Sequence, residues 1–499
     1  MELFGQLVFG FEQALTLQNV FFCFIGALIG TLVGVLPGLG PVATIAMLLP
    51  ITFTLPPVAA LIMLAGLYYG AQYGGSTTAI LVNIPGESSS VVTCLDGHAM
   101  ARRGRAGAAL AIAAVGSFFA GSVATFVIAI FSGPMVWIAS TFQSPDYFGL
   151  MIFGLIAAVV LAQGSVVRSI VMVLVGLTLG LAGTDITTGQ SRFTFGLPQL
   201  SEGISFVALA MGLFGVGEVI SNLARTFGKP DIQPVTSLWP NREEVRRATP
   251  AALRGTVIGS LLGVLPGGGA LIASFGAYVI EKKWSKRPQE FGNGAVEGVA
   301  APEAANNAGA QTSFIPLLTL GLPSNAVMAL MLAAMTIHGI VPGPKLMTER
   351  PDLFWAMIAS MWIGNLMLVI INLPLIRIWV MLLTIPYRWL YLAILIFCCI
   401  GAYSVQNSTF DVLVMALFGV VGYLLPKIGC EPAPLILGVI LSPHIEENFR
   451  RSLVVSRGSW WVFVERPVCA GFLLLSLLFM LAVLLPSIRK GRDEAFREE

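Results

Sequence analysis

The stretch GTLVGVLPGLG runs from Gly30 to Gly40, and GSLLGVLPGGG runs from Gly259 to Gly269. They lie 229 residues apart and differ only at Thr31/Ser260, Val33/Leu262 and Leu39/Gly268. Each sets Leu-Pro-Gly inside an apolar run. Proline lacks an N–H and clashes with the preceding turn, and glycine accepts backbone geometries that other residues resist. Each motif therefore predicts a broken helix. The surroundings say where the breaks lie. The 499 residues are 56% hydrophobic and 11% charged, with a mean hydropathy of +0.85. Soluble domains carry roughly a quarter charged residues, so this chain has too few to clothe a soluble core.

Apolar segments fall at about 17–36, 41–55, 57–73, 107–131, 148–163, 169–183 and 203–223. A second series follows at about 255–281, 297–320, 325–341, 352–376, 389–403, 411–425, 432–442 and 467–486. Many approach the ~20 residues that cross a bilayer. They are continuous rather than alternating, which argues against a β-barrel. The expected class is an all-α polytopic membrane protein with about 11–14 membrane segments. Residues 1–224 form a first half, 225–254 a polar linker with six basic residues, and 255–455 a second half. A last membrane segment and tail occupy 456–499.

The duplication extends past the breaks. Gly70-Ala71-Gln72 recurs as Gly309-Ala310-Gln311, and Asn83-Ile84-Pro85-Gly86-Glu87-Ser88 has a counterpart in Gly321-Leu322-Pro323-Ser324-Asn325. His98 and His338 follow at similar distances. The charge pattern reverses between the halves. The loop at 50–57 has no basic residue, whereas its counterpart Glu281 to Glu290 carries Lys282, Lys283, Lys286 and Arg287. The loop after Pro85 holds Arg102, Arg103 and Arg105. Its counterpart after Pro323 holds Lys345 and Arg350, beside Glu349 and Asp352. Cytoplasmic loops are enriched in Lys and Arg. The reversal predicts inverted repeats with broken helices, the plan of many secondary transporters. It puts the N-terminus outside, and the linker and the tail from Arg489 to Arg492 in the cytoplasm.

In hydrocarbon an unpaired backbone group costs several kcal/mol, so broken helices survive where they pack in protein or line an aqueous cavity. The run Ser76 to Ser90 reads as a re-entrant hairpin with a polar tip at Asn83, Pro85, Gly86, Ser88 and Ser89. Gly321, Pro323, Ser324 and Asn325 make the matching tip. Free N–H groups at a helix start attract anions; an ordinary serine N-cap is the plainer reading. In EGVAAPEAANNAGAQ, Glu297 to Gln311, Glu303, Asn306 and Asn307 share one helical face. Intramembrane carboxylates are rare and usually functional. A carboxylate beside amide oxygens suits a hard cation such as Na⁺, or a proton; a helix near the cytoplasmic surface is the plainer alternative.

Asp185 and Arg192 are spaced to pair and pin the loop from Gly183 to Gly196. Glu446, Glu447, Arg450 and Arg451 have the i,i+4 spacing of helix salt bridges. The six cysteines and three histidines show no metal-ligand spacing, and the N-terminus has no basic region of a cleavable signal. There is no GxxxxGK[ST] for ATP, no HExxH and no nucleophile elbow. An enzyme is therefore not expected: Glu303 and His338 could serve as acid and base, but no nucleophile or metal set accompanies them. Nothing points to nucleic acid.

GVLPGLGP, YGAQYGGSTTAILVNIPGE, DGHAMARRGRAG, GVLPGGG, EGVAAPEAANNA, TLGLPSNAVMA and ILSPHIEENFRRS together resemble the large membrane subunit of the tripartite tricarboxylate transporter family. The resemblance spans about residues 30 to 455. It implies a secondary importer in the bacterial inner membrane, surrounded by lipid, with a small membrane subunit and a periplasmic substrate-binding protein as partners. It implies citrate-like tricarboxylates or other organic acids as substrate, and a cation gradient, usually Na⁺. On this expectation the two tips meet near the midplane and bind substrate carboxylates. Carbonyls near the breaks at Gly38, Gly40, Gly267 and Gly268, with Glu303, Asn306 and Asn307, hold Na⁺ or H⁺. H⁺ coupling and a channel are the alternatives.

Overall fold

The computed structural model describes residues 2–36, 40–162, 165–185, 188–224, 232–235, 237–266, 269–383 and 387–484. The first half comprises α1 (Glu2–Ala14), α2 (Leu17–Val35), α3 (Pro41–Thr52), α4 (Pro57–Val82), α5 (Ala106–Ser140), α6 (Ser144–Leu161), α7 (Val166–Gly180) and α8 (Phe206–Leu223). The second comprises α9 (Arg242–Leu262), α10 (Gly269–Trp284), α11 (Glu297–Thr312), α12 (Phe314–Leu320), α13 (Ala326–Ile337), α14 (Pro351–Asn372), α15 (Ile376–Leu382), α16 (Tyr387–Gln406), α17 (Thr409–Lys427) and α18 (Pro432–Val455), before a final α19 (Pro467–Leu484). The chain is an all-α polytopic membrane protein. Among the described residues six helices are long and apolar enough to cross a membrane, and five shorter apolar helices accompany them. Among the described residues the only strands are the two-residue pair Gly183–Thr184 and Ser191–Arg192.

Each half is built on two parallel helices in backbone contact. A methyl group placed on Gly26, Gly30 or Gly34 of α2 would lie 2.1, 2.2 or 2.3 Å from the carbonyl oxygens of Met63, Leu67 and Ala71 on α4. The rising partner numbers show that α2 and α4 run the same way, so α3 must carry the chain back between them. The second half repeats this contact. Methyl groups on Gly255 and Gly259 of α9 would lie 2.2 and 2.3 Å from the carbonyls of Ala301 and Ala305 on α11. Small residues four apart let helix backbones approach this closely, and in membranes such packing drives association.

The halves then exchange partners. α14 of the second half packs on α2 and α4, and α5 of the first half packs on α9 and α11. α3 packs against α13, while α10 packs against the turn at Ser88–Ser90. The same pairing thus occurs twice with the halves swapped, and neither half is a separate body.

Two local boundaries differ from the sequence reading. The hairpin arm expected from Ser76 is the end of a continuous 26-residue α4, because nothing between Pro57 and Val82 breaks a helix. The polar linker is helical from Arg242 onward. Asn241 accepts from the Glu244 N–H at 2.8 Å and Glu244 answers to the Asn241 N–H at 2.6 Å, a capping box.

Gly30→Val should break the α2–α4 contact and destabilise the fold by about 1–3 kcal/mol or more. Gly133→Ala, where a methyl group meets nothing within 4 Å, should not. Thermal unfolding of the two variants in detergent checks this.

Candidate functional site

Two chain reversals frame the site, and they share one backbone design. α4 ends at Asn83 in the left-handed region (φ 57°, ψ 30°), and α12 ends at Gly321 in the same region (φ 71°, ψ 20°). Four residues further on, Glu87 (φ −151°, ψ 164°) and Asn325 (φ −154°, ψ 177°) are both extended N-caps. Asn325 Oδ1 accepts from the Met328 N–H at 2.9 Å. Glu87 and Ser90 form a capping box. Gly86 is held tightly against α2 and α4: a methyl group there would lie 1.9 Å from Gly34 O and 2.6 Å from Gly75 Cα. Tyr68 of α4 lies beside Ser313 and Asn325 of the second reversal.

The first reversal carries its polar groups onto α11. Glu303 is wholly buried, and its carboxylate accepts from Ser76 Oγ of α4 at 2.5 Å and from Thr93 Oγ1 just beyond the tip. Ser89 Oγ, also buried, lies 2.6 Å from Asn306 Oδ1, 3.0 Å from Gln72 Oε1 and in contact with Glu87. Its single proton serves one of three acceptors. Asn306 Nδ2 donates to Glu87 Oε1 at 3.3 Å. Among the described residues no lysine, arginine or histidine pairs with either carboxylate.

The sequence-selected residues therefore divide. Glu303, Asn306 and Ser89 come together. Asn307 turns the other way, donating to Ser117 Oγ of α5 at 2.7 Å, and Gln311 follows it, accepting from Thr125 Oγ1 at 2.5 Å. A difference of one residue, about 100° around a helix, separates the two directions. Asn83 and Ser88 are exposed, Pro85 is half-buried, and Pro323 and Ser324 are buried, with Ser324 Oγ donating to Ser313 O at 3.2 Å. Gly40 is the N-cap of α3, and a methyl group on it would lie 3.8 Å from Glu218 Oε2 of α8. Gly269 at the start of α10 lies against Asn325 Nδ2. Gly38, Gly267 and Gly268 fall outside the described residues.

Sequence reasoning missed Gln72, Ser76, Glu87, Thr93 and Asp96. Gln72 and Ser76 lie one helical turn apart on an apolar helix, and that spacing was the available signal. Asp96 is fully buried. One of its oxygens accepts from the N–H groups of Gly292, Gly294 and Ala295 at 2.9, 2.7 and 2.7 Å, and the other from the Tyr278 hydroxyl at 3.0 Å. It anchors the start of the Glu303 helix to the first half.

Ion pairs fasten both ends of the molecule. Arg105 meets Glu244, Arg247 meets Glu290 and Glu297, and Arg254 meets Glu281. The bond to Glu297 holds the Arg247 guanidinium still further above its ordinary range. Elsewhere Arg450 bridges Asp185 at 3.0 Å and Glu446 at 2.7 Å, and Arg192 reaches Glu446 at 2.7 Å. Arg192 stands 3.9 Å from Asp185, so the expected pair is one edge of a four-residue cluster. Glu447 and Arg451 pair at 2.8 Å, as the spacing predicted.

A buried polar centre is thus assembled from both halves of a helix-exchanged membrane bundle. The tripartite tricarboxylate transporter TctA family matches over residues 20–437, and the chain belongs to that family. This is a transporter family, not an enzyme family, whose members are membrane components of tripartite systems with a small membrane subunit and a periplasmic binding protein. An uncharacterized 52.8 kDa protein of the TAR-I ttuC′ 3′ region in Agrobacterium vitis is 57% identical over the full length of both chains. A second Agrobacterium vitis protein, of the TAR-II ttuC′ 3′ region, is 58% identical over all of its own length and 48% of this chain. No solved structure matches.

Asp96→Asn removes the charge that accepts four hydrogen bonds. It should destabilise the protein by at least about 2 kcal/mol, read as a lower unfolding midpoint, whereas Asp352→Asn at the exposed pair with Arg350 should change it little.

Proposed function

We propose that this chain is the large permease subunit of a binding-protein-dependent secondary importer of carboxylates in the bacterial inner membrane. A cation gradient drives it, with Na⁺ as the first reading and H⁺ as the alternative. A periplasmic binding protein delivers the acid, and a small membrane subunit completes the complex. The observation that carries this reading is the pair of like-built reversals, one of which places a serine against the buried Glu303–Asn306 face. Exposed Asn83 and Ser88, the Pro85-Gly86 and Pro323-Ser324 backbones, Ser89, Gly321 and Asn325 are the groups proposed to meet the substrate. The coupling cation is assigned to Glu303 and Asn306.

The charge pattern supports the orientation. The segments at 98–105, 242–254 and 281–290 are basic and tied together by the Arg105, Arg247 and Arg254 ion pairs. By the positive-inside rule this end is cytoplasmic, which favours inverted halves. A channel is disfavoured because a continuous pore has no use for a ligand-delivering protein.

The test is uptake of labelled mono-, di- and tricarboxylates into proteoliposomes holding this chain and its small partner, with binding protein outside. Uptake that needs both the binding protein and an inward Na⁺ gradient is the expected result. Glu303→Gln and Asn325→Ala should each reduce it about 10- to 100-fold, the worth of a hydrogen bond to a charged group. Uptake driven by a pH gradient alone moves the coupling ion to H⁺. Absence of uptake of every acid by a correctly assembled complex contradicts the reading.

A further inference from the structure

The ion pairs at the basic end leave several of its cations unmatched. Arg254 binds Glu281 through two hydrogen bonds, at 2.8 and 2.5 Å, and Arg105, Arg247 and Arg287 have acidic partners of their own. Arg242 and Arg246 of α9, and Lys282, Lys283 and Lys286 around the end of α10, are exposed and meet no acid among the described residues. The duplicated fold does not require these charges. At the 229-residue offset Lys282, Lys283 and Trp284 correspond to Phe53, Thr54 and Leu55, so the twin turn closes with no charge at all.

The lysines stand at the edge of an apolar surface that faces outward. Leu253, Val257 and Leu261 recur every fourth residue on one face of α9, and Val257 and Leu261 are 59% and 68% exposed. The packed faces of α9 lie elsewhere, with Gly255 and Gly259 against α11 and Leu262 against Gly276 of α10. The Arg254–Glu281 pair sets the relative height of the two helices, so Lys282 and Lys283 stand level with Leu253, at the end of the α9 stripe. On α10, exposed Val279 lies one turn below Lys283. Trp284 completes the edge at 69% exposure. Tryptophan gathers where hydrocarbon gives way to headgroups, and lysine stems run along apolar surface to lift their ammonium groups into that layer.

We infer that the outer α9–α10 face is a binding site for an anionic phospholipid of the leaflet on the basic side. Its acyl chains lie along Leu253, Val257, Leu261 and Val279, and Lys282 and Lys283 hold the headgroup phosphate. Arg246 and Arg242, about two and three turns beyond Leu253 on α9, add attraction from the aqueous side. The occupant is a lipid rather than a soluble anion because the paired lysines crown an exposed apolar stripe. Arg102 and Arg103 supply the contrast. They too are exposed and without an acidic partner among the described residues, but residues 106–114 beneath them are all buried, so no acyl chain can lie there. Anionic lipid is favoured over a zwitterionic one because neither lysine has an acid to neutralise it, and each cation near a charged bilayer surface strengthens the attraction about fivefold.

Native mass spectrometry of the full chain in detergent tests this without substrate or gradient, so the result stands whatever an uptake assay shows. The protein is titrated with phosphatidylglycerol and with phosphatidylcholine of matched acyl chains. The tightest-bound phosphatidylglycerol should hold about tenfold or more tightly than phosphatidylcholine, and inorganic phosphate at the same concentration should not displace it. Lys282→Ala/Lys283→Ala should weaken phosphatidylglycerol about 10- to 25-fold, the worth of two such cations, and leave phosphatidylcholine unchanged. Lys282→Arg/Lys283→Arg should retain the affinity. Arg102→Ala/Arg103→Ala, an equal loss of charge on the same side, should leave it unchanged. The unfolding midpoint of each lipid-free variant checks its fold, and the two wild-type measurements hold without any variant. Equal wild-type affinity for the two lipids, displacement by inorganic phosphate, or equal weakening in the Arg102/Arg103 and Lys282/Lys283 alanine pairs would overturn the site.

Discussion

A carboxylate at the centre of an apolar bundle has to draw its hydrogen bonds from its neighbours, because no water shell can supply them. Glu303 sits on α11 in the second half, yet both of its donors, Ser76 and Thr93, belong to the first. Asn306 likewise depends on Ser89, and the loop before α11 depends on Asp96. These cross-half bonds are strong only where the helices are held in register. The glycine contacts of α2 with α4 and α9 with α11 provide rigid pairs, and the exchanged helices α5 and α14 bind each pair to the opposite half.

That arrangement has a mechanical consequence. The two reversals are fixed to rigid helix pairs rather than to flexible loops. A movement that separates α4 and the first tip together from α11 therefore strips Glu303 and Asn306 of their donors together. On the proposed assignment of the coupling cation to Glu303 and Asn306, its occupancy and the position of the tip would be coupled through the same few bonds.

Much of this was legible in the chain. The repeated Leu-Pro-Gly, the matching tips and the acidic helix face pointed to a duplicated membrane bundle, and residues 83, 87, 321 and 325 bear out the duplication down to their backbone angles. The donors were not legible. Ser76 and Thr93 lie 227 and 210 residues from Glu303, and a hydroxyl on an apolar helix looks alike whether it bonds its own backbone or a distant carboxylate. Asn307 was grouped with Glu303 by helical spacing. Spacing gives a face about half a helix wide, and the packing of α5 alone decides that Asn307 turns to Ser117. Asp96 lay in plain sight in DGHAMARRGRAG, but its partners are backbone N–H groups, which no sequence pattern advertises.

The interlocking of the halves is tested most directly by one cross-link. Gly116 on α5 faces Ala252 on α9, and a methyl group on Gly116 would lie 3.9 Å from the Ala252 methyl, within the Cβ separation of a disulfide. The measurement is oxidation of Gly116→Cys/Ala252→Cys with a protease site inserted in the 225–241 connection. After cleavage, the account predicts one band under non-reducing conditions that splits into two on reduction. Two bands regardless of oxidant would show that α5 and α9 are not partners, and the shared centre built on that exchange would fall with it.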